Sequence, residues 1–117
     1  MRSELRSGVR FAPSFTVLTV RIGEPSVYEA IEHLGLQVLR VRHPLPACQR
    51  ILVTRPIAVI VGPTIRAADM DSIAQAAAEV GARVVEVSMV GEDRLAAVLQ
   101  RVVSAAVVQR SALPASG

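Results

Sequence analysis

At 117 residues, with 51% hydrophobic and 20% charged side chains, the chain is long enough to bury its own core and too apolar to stay disordered. Phe11, Phe15 and Tyr28 are its only aromatics, and a single cysteine, Cys48, excludes an internal disulfide and any multi-cysteine metal site. All thirteen basic residues are arginine, so mechanisms that need a lysine, such as a phosphate-binding loop or a Schiff base, are excluded.

The net charge of +3 is unevenly spread. Residues 1–66 hold nine arginines against four glutamates, whereas residues 67–117 hold four arginines against six acids. A basic half can mark a nucleic-acid surface. Here the arginines are dispersed, with no aromatic interleaving on which bases would stack, so nucleic acid is not the expected partner. No run reads as a secretory signal or as ~18 continuous apolar residues, so a cytoplasmic protein without a membrane span is expected.

Residues 1–14 read as a loose basic arm carrying Arg2, Arg6 and Arg10, with a short extended piece near residues 9–11. Residues 15–22, FTVLTVRI, are β-branched and predict a first strand. A first helix follows, with Pro25 in its first turn, Ser26 and Glu29 spaced as a capping box, and Gly35 at its end. A second strand is expected over 36–42, where Arg40 and Arg42 alternate with Leu39 and Val41 as suits a sheet edge. A short helix over 46–55 leads to residues 57–61, IAVIV, whose unbroken apolar run is that of a central strand covered on both faces. Gly62 and Pro63 turn the chain into a third helix ending at Gly81, and residues 82–88 read as a fourth strand. A long last helix over 92–110 keeps an apolar stripe from Leu95 to Val107 at i, i+3, i+4 spacing, with acidic Glu92 and Asp93 at its start. Residues 15–110 thus form one α/β domain, and 111–117 a tail.

Strands alternating with helices predict a doubly wound parallel sheet of four strands. Sites in such folds lie beyond the carboxyl ends of the strands. The chain reads Arg21, Ile22, Gly23, Glu24 after the first strand, Gly62, Pro63, Thr64 after the third, and Ser88, Met89, Val90, Gly91 after the fourth.

Over residues 16–107 this layout resembles the receiver domain of bacterial response regulators, a flavodoxin-like fold. GEPSVYEAIEHLGLQVL is similar to the first receiver helix and second strand, RPIAVIVG to the strand ending in the phosphorylated aspartate, and ADMDSIAQAA to the start of the next helix. The resemblance implies an acidic pair that holds magnesium, a phospho-acceptor aspartate, a Ser/Thr switch and a phosphate-contacting lysine. The acidic pair falls on Ile22 and Gly23, leaving only Glu24; the acceptor falls on Gly62; the switch falls on Ser88; the lysine has no counterpart. Receivers also have five strands. In a second register the missing unit is internal and Thr64 approximates the switch, but neither register restores the aspartate, the lysine or the metal ligands. Receiver phosphorylation is therefore expected to be lost, since acyl-phosphate formation needs a carboxylate nucleophile and magnesium needs hard oxygen ligands.

Other chemistry is thin. Asp69 and Asp71 fit helix capping, His33 fits a solvent-facing helix end, and a His43–Cys48 nucleophile would lack an oxyanion hole and an orienting carboxylate. No cofactor fingerprint is present. The expected function is a non-catalytic signalling or adaptor domain that binds a protein partner. The alternative is a small-ligand module holding an anion or nucleotide at Gly62, Thr64 and the third helix's start. A homodimer is expected through the fourth strand, guarded only by Glu86, and through the last helix's outer Ala97, Ala105 and Val108. The arm folding back over that edge is the monomeric alternative.

Overall fold

Four strands, β1 (Thr16–Val20), β2 (Gln37–Val41), β3 (Ala58–Val61) and β4 (Arg83–Glu86), pair in parallel in the order β2-β1-β3-β4. Helices α1 (Pro25–His33), α2 (Pro44–Thr54), α3 (Ala67–Val80), α4 (Val87–Val90) and α5 (Glu92–Ala112) connect and follow them. The computed structural model describes residues 15–112; the arm expected over 1–14 and its extended piece lie outside the described residues. The fold is the expected α/β, doubly wound, flavodoxin-like one, with four strands among the described residues.

The pleat of the strands sorts the core into two layers. Val17, Ala58, Ile60 and Val85 point to one face, where α1 and α5 bring Val27, Ile31, Leu95 and Leu99. Leu18, Val20, Val59 and Val61 point to the other, where α2 and α3 bring Ala47, Ile51, Ile73 and Ala77. Every residue of β3 is buried, which accounts for its unbroken apolar run. A fully buried Leu or Ile of this kind contributes about 2 kcal/mol.

Among the described residues, Thr19 is the one buried polar residue of the core. Its Oγ1 lies 3.2 Å from the Tyr28 hydroxyl, which donates a 2.6 Å bond to the Ile22 carbonyl. Arg40 of β2 stacks over the same ring, 3.8 Å from its centroid. One tyrosine therefore ties α1 to the end of β1 and to the β2 edge.

Several boundaries differ from the sequence reading, each for a local reason. Helix α1 starts at Glu24 as N-cap, with Pro25 as its first residue and no side-chain cap, so Ser26 and Glu29 fall inside the helix instead of forming a capping box. Its end does follow Gly35, at φ 73°: Leu36 N–H reaches the Ile31 carbonyl and Gly35 N–H the Glu32 carbonyl, closing the helix by left-handed backbone. Helix α2 starts two residues early, because Pro44 and Pro46 occupy its first turn where no N–H is needed. The fourth strand stops at Glu86, and residues 87–90 turn into the short helix α4. Helix α5 continues to Ala112, so the first two residues assigned to the tail belong to it.

Candidate functional site

The carboxyl ends of β1 and β3 meet at the point where the strand order reverses, and here the backbone itself fills the space. Arg21 follows β1 in the left-handed region, at φ 58°. Its N–H donates to the Val41 carbonyl and its Nε to the Arg42 carbonyl, tying the turn to the end of β2. The turn brings the Arg21 carbonyl against the α-carbon of Gly62. A Cβ on Gly62 would overlap that oxygen and lie 3.1 Å from the Arg21 carbonyl carbon and 3.3 Å from the Val20 oxygen. Gly62 is buried, its N–H bonded to the Val20 carbonyl, and it is glycine because the neighbouring backbone leaves no room for a side chain. Sequence reasoning offered this residue as an anion-holding position at the strand end; the structure leaves no room there for a side chain.

The remaining receiver-equivalent positions do not converge on a metal site. Ile22 is buried, Gly23 is exposed, and Glu24 is half-buried with its Oε1 out of solvent and without a hydrogen-bond partner. Thr64 is exposed in the turn after Gly62, and Ser88 is exposed on α4 rather than at a strand end. No second carboxylate stands at 22, 23 or 62 to share a cation with Glu24, so these residues do not fit magnesium. Among the described residues, no group of three or more His, Cys, Asp or Glu side chains is gathered to hold a metal ion.

Beside Gly62 lies a shallow cavity of about 510 Å³ lined by Arg21, His43, Leu45, Ile65, Arg66 and Asp69. It sits where α2 and α3 begin, with His43 and Arg66 as their N-caps. Asp69 does not cap α3 with its side chain as expected; it pairs with Arg66 Nε at 3.3 Å, and Asp71 is exposed. Cys48 is half-buried within α2, and no hydrogen bond joins it to His43. Burial, and then the nearby Asp69 carboxylate, push its thiol above the ordinary 9.0, outweighing a backbone hydrogen bond that lowers it. It is a protonated thiol at neutral pH, not an activated nucleophile. His33 is exposed in the last turn of α1.

The opposite end of the sheet holds a larger groove that sequence reasoning missed. The 21-residue α5 is about 31 Å long, against about 13 Å for a four-residue strand, so it overruns the sheet. A cavity of about 910 Å³ opens between its second half and the chain entering β3 and β4. Ile57, Val80, Val98 and Val102 give it an apolar lining, and Arg55, Arg83 and Arg101 stand around it. All three arginines are exposed, and none makes an ion pair or side-chain hydrogen bond among the described residues. Arg55 is held there by a left-handed turn at φ 50° that ends α2, just before Pro56.

Apolar side chains are also exposed on the outside. Val107 and Val108 are 43% and 65% exposed near the end of α5, and Met89 of α4 is 79% exposed. Glu86, Ala97 and Ala105 are exposed as expected, and no strand pairs with the outer edge of β4 among the described residues. Leu45 and Val53 project from α2, which sequence reasoning did not single out. No helix of the described residues is long and apolar enough to cross a membrane. Neither a family model nor a curated protein matches the chain.

Proposed function

We propose that this is a receiver-like interaction domain that works by binding protein, including a second copy of itself, without aspartyl phosphorylation or a cofactor. The observation that carries the reading is the outer edge of β4, with which nothing among the described residues pairs, together with exposed Val107 and Val108 near the end of α5. Unpaired strand edges and exposed apolar side chains are what partners cover. The closed backbone at Gly62 supports the non-catalytic part, since the position equivalent to the phospho-acceptor has neither a carboxylate nor space for one. Acetyl phosphate or beryllofluoride with magnesium is expected to leave the protein unchanged. A stoichiometric acid-labile phosphoryl group in intact mass spectra would overturn the reading.

A second reading, a small-anion module, is favoured by the cavity that Arg21, His43 and Arg66 line. It shifts the expected anion position away from Gly62, which has no room, to the starts of α2 and α3. Thermal shift with inorganic phosphate and nucleotides tests it: a concentration-dependent rise that Arg21→Ala removes would support it over the protein-binding reading.

A further inference from the structure

Resting on the protein-binding reading, we propose that the groove under the sheet docks an acidic, amphipathic segment of a partner protein. The segment would present an apolar ridge to Ile57, Val98 and Val102, and carboxylates to Arg55, Arg83 and Arg101. The inference joins two features that seldom coincide by accident. Part of the lining is apolar, so an occupant gains by burying an apolar face there. Three cations from three separate segments, unpaired among the described residues, stand around the groove, so its occupant must bring negative charge. Arginine suits this role, because its planar guanidinium is weakly hydrated and takes a carboxylate through two parallel bonds.

Residues 1–14 and 111–117 do not meet that requirement. Residues 1–14 carry Arg2, Arg6 and Arg10 against Glu4 alone, and residues 111–117 carry no acid. Like charge disfavours the first as a cover, and the second has no side chain for the arginines. A nucleic acid would use the cations but gain nothing from the valines, and among the described residues no aromatic lines the groove for stacking. The groove is partly open to solvent rather than sealed around a small molecule.

The test uses the full chain and a fluorescein-labelled 18-residue peptide of leucine, alanine and glutamate, with leucines on one helical face. Controls are the same composition with leucines scattered, and the lysine-for-glutamate counterpart. Anisotropy is expected to show saturable binding of the acidic amphipathic peptide alone, weakening as salt is raised. Arg83→Glu combined with Arg101→Glu, both exposed, should weaken it about tenfold or more while circular dichroism and the thermal midpoint hold. Absence of binding, equal binding of the lysine peptide, or insensitivity to the double variant would overturn the proposal. Stronger binding of the wild type to phosphatidylglycerol vesicles or duplex DNA, lost in the double variant, would overturn it in favour of a lipid or nucleic-acid surface. Loss of self-association in the double variant would assign the groove to a second copy instead. None of these outcomes bears on phosphorylation, so failure here is separable from failure of the reading above.

Discussion

Gly62 and Gly23 stand at neighbouring strand ends, yet their surroundings assign them opposite tolerances. A side chain at 62 meets the Arg21 and Val20 backbone, which cannot rotate away as a side-chain tip could, whereas nothing lies within 4 Å of a Cβ at 23. Gly62→Ala is therefore expected to cost about 2 kcal/mol in urea unfolding, the scale of an overpacked core, and Gly62→Asp at least as much. Gly23→Asp should stay within about 0.5 kcal/mol of the parent. Equal tolerance at both positions would mean that the Arg21 turn is not as described. Cys48 makes a second single-residue case. Its folded-state thiol lies above the ordinary 9.0, so burial favours the protonated form, and the associated stability is complete below pH 9 and declines as pH rises past it. At pH 8 iodoacetamide should alkylate Cys48 more slowly in the folded chain than in urea-unfolded chain. A faster rate in the folded chain would reverse the sign of the shift.

Helix α1 is held to the sheet by a hydroxyl as well as by its apolar face. Tyr28→Phe keeps the ring, its packing and the Arg40 stack, but orphans the Ile22 carbonyl and the buried Thr19 hydroxyl. The expected loss is about 1–2 kcal/mol. Adding Thr19→Val should recover part of it, since one of the two unsatisfied groups is then gone; strict additivity would deny the Thr19–Tyr28 coupling. The same scale shows what could be read from sequence. The four strands were legible because β-branched apolar runs recur at a regular spacing with helical periodicity between them. Helix α4 was not, because Val87 and Val90 extend the apolar, β-branched character of β4 and nothing before Gly91 marks a turn. The closure at Gly62 was hidden too: it depends on left-handed backbone at Arg21, a residue type that gives no warning of it. The arginine groove is assembled from positions 55, 83 and 101, and no local pattern links residues that far apart.

For the molecule as a whole, β2 and β4 are the two edges of the sheet among the described residues, and each exposes polar side chains. At β2 Gln37 and Arg40 are exposed, Arg40 stacks on Tyr28, and Arg42 follows the strand. At β4 the strand is four residues long with Arg83 and Glu86 exposed at its two ends, and nothing among the described residues pairs with its outer side. A flavodoxin-like sheet with a fifth strand would cover that side; here a second copy is proposed to do so. Two-fold symmetry would place both β4 edges together and bring α5 of each copy alongside, where exposed Ala97 and Ala105 let backbones approach and Val108 adds apolar area. Sedimentation at micromolar concentration is expected to show a dimer, and a single species of monomer mass would reject it. Val108→Glu should raise the dimer's Kd about tenfold, or 1.4 kcal/mol, by placing two carboxylates in or near an apolar contact. Because Val108 is 65% exposed in one copy, its replacement should leave the monomer's unfolding midpoint nearly unchanged. A variant that unfolded early would mean instead that the side chain packs within its own chain, and the proposed interface would have to move from α5 to the β4 edge alone.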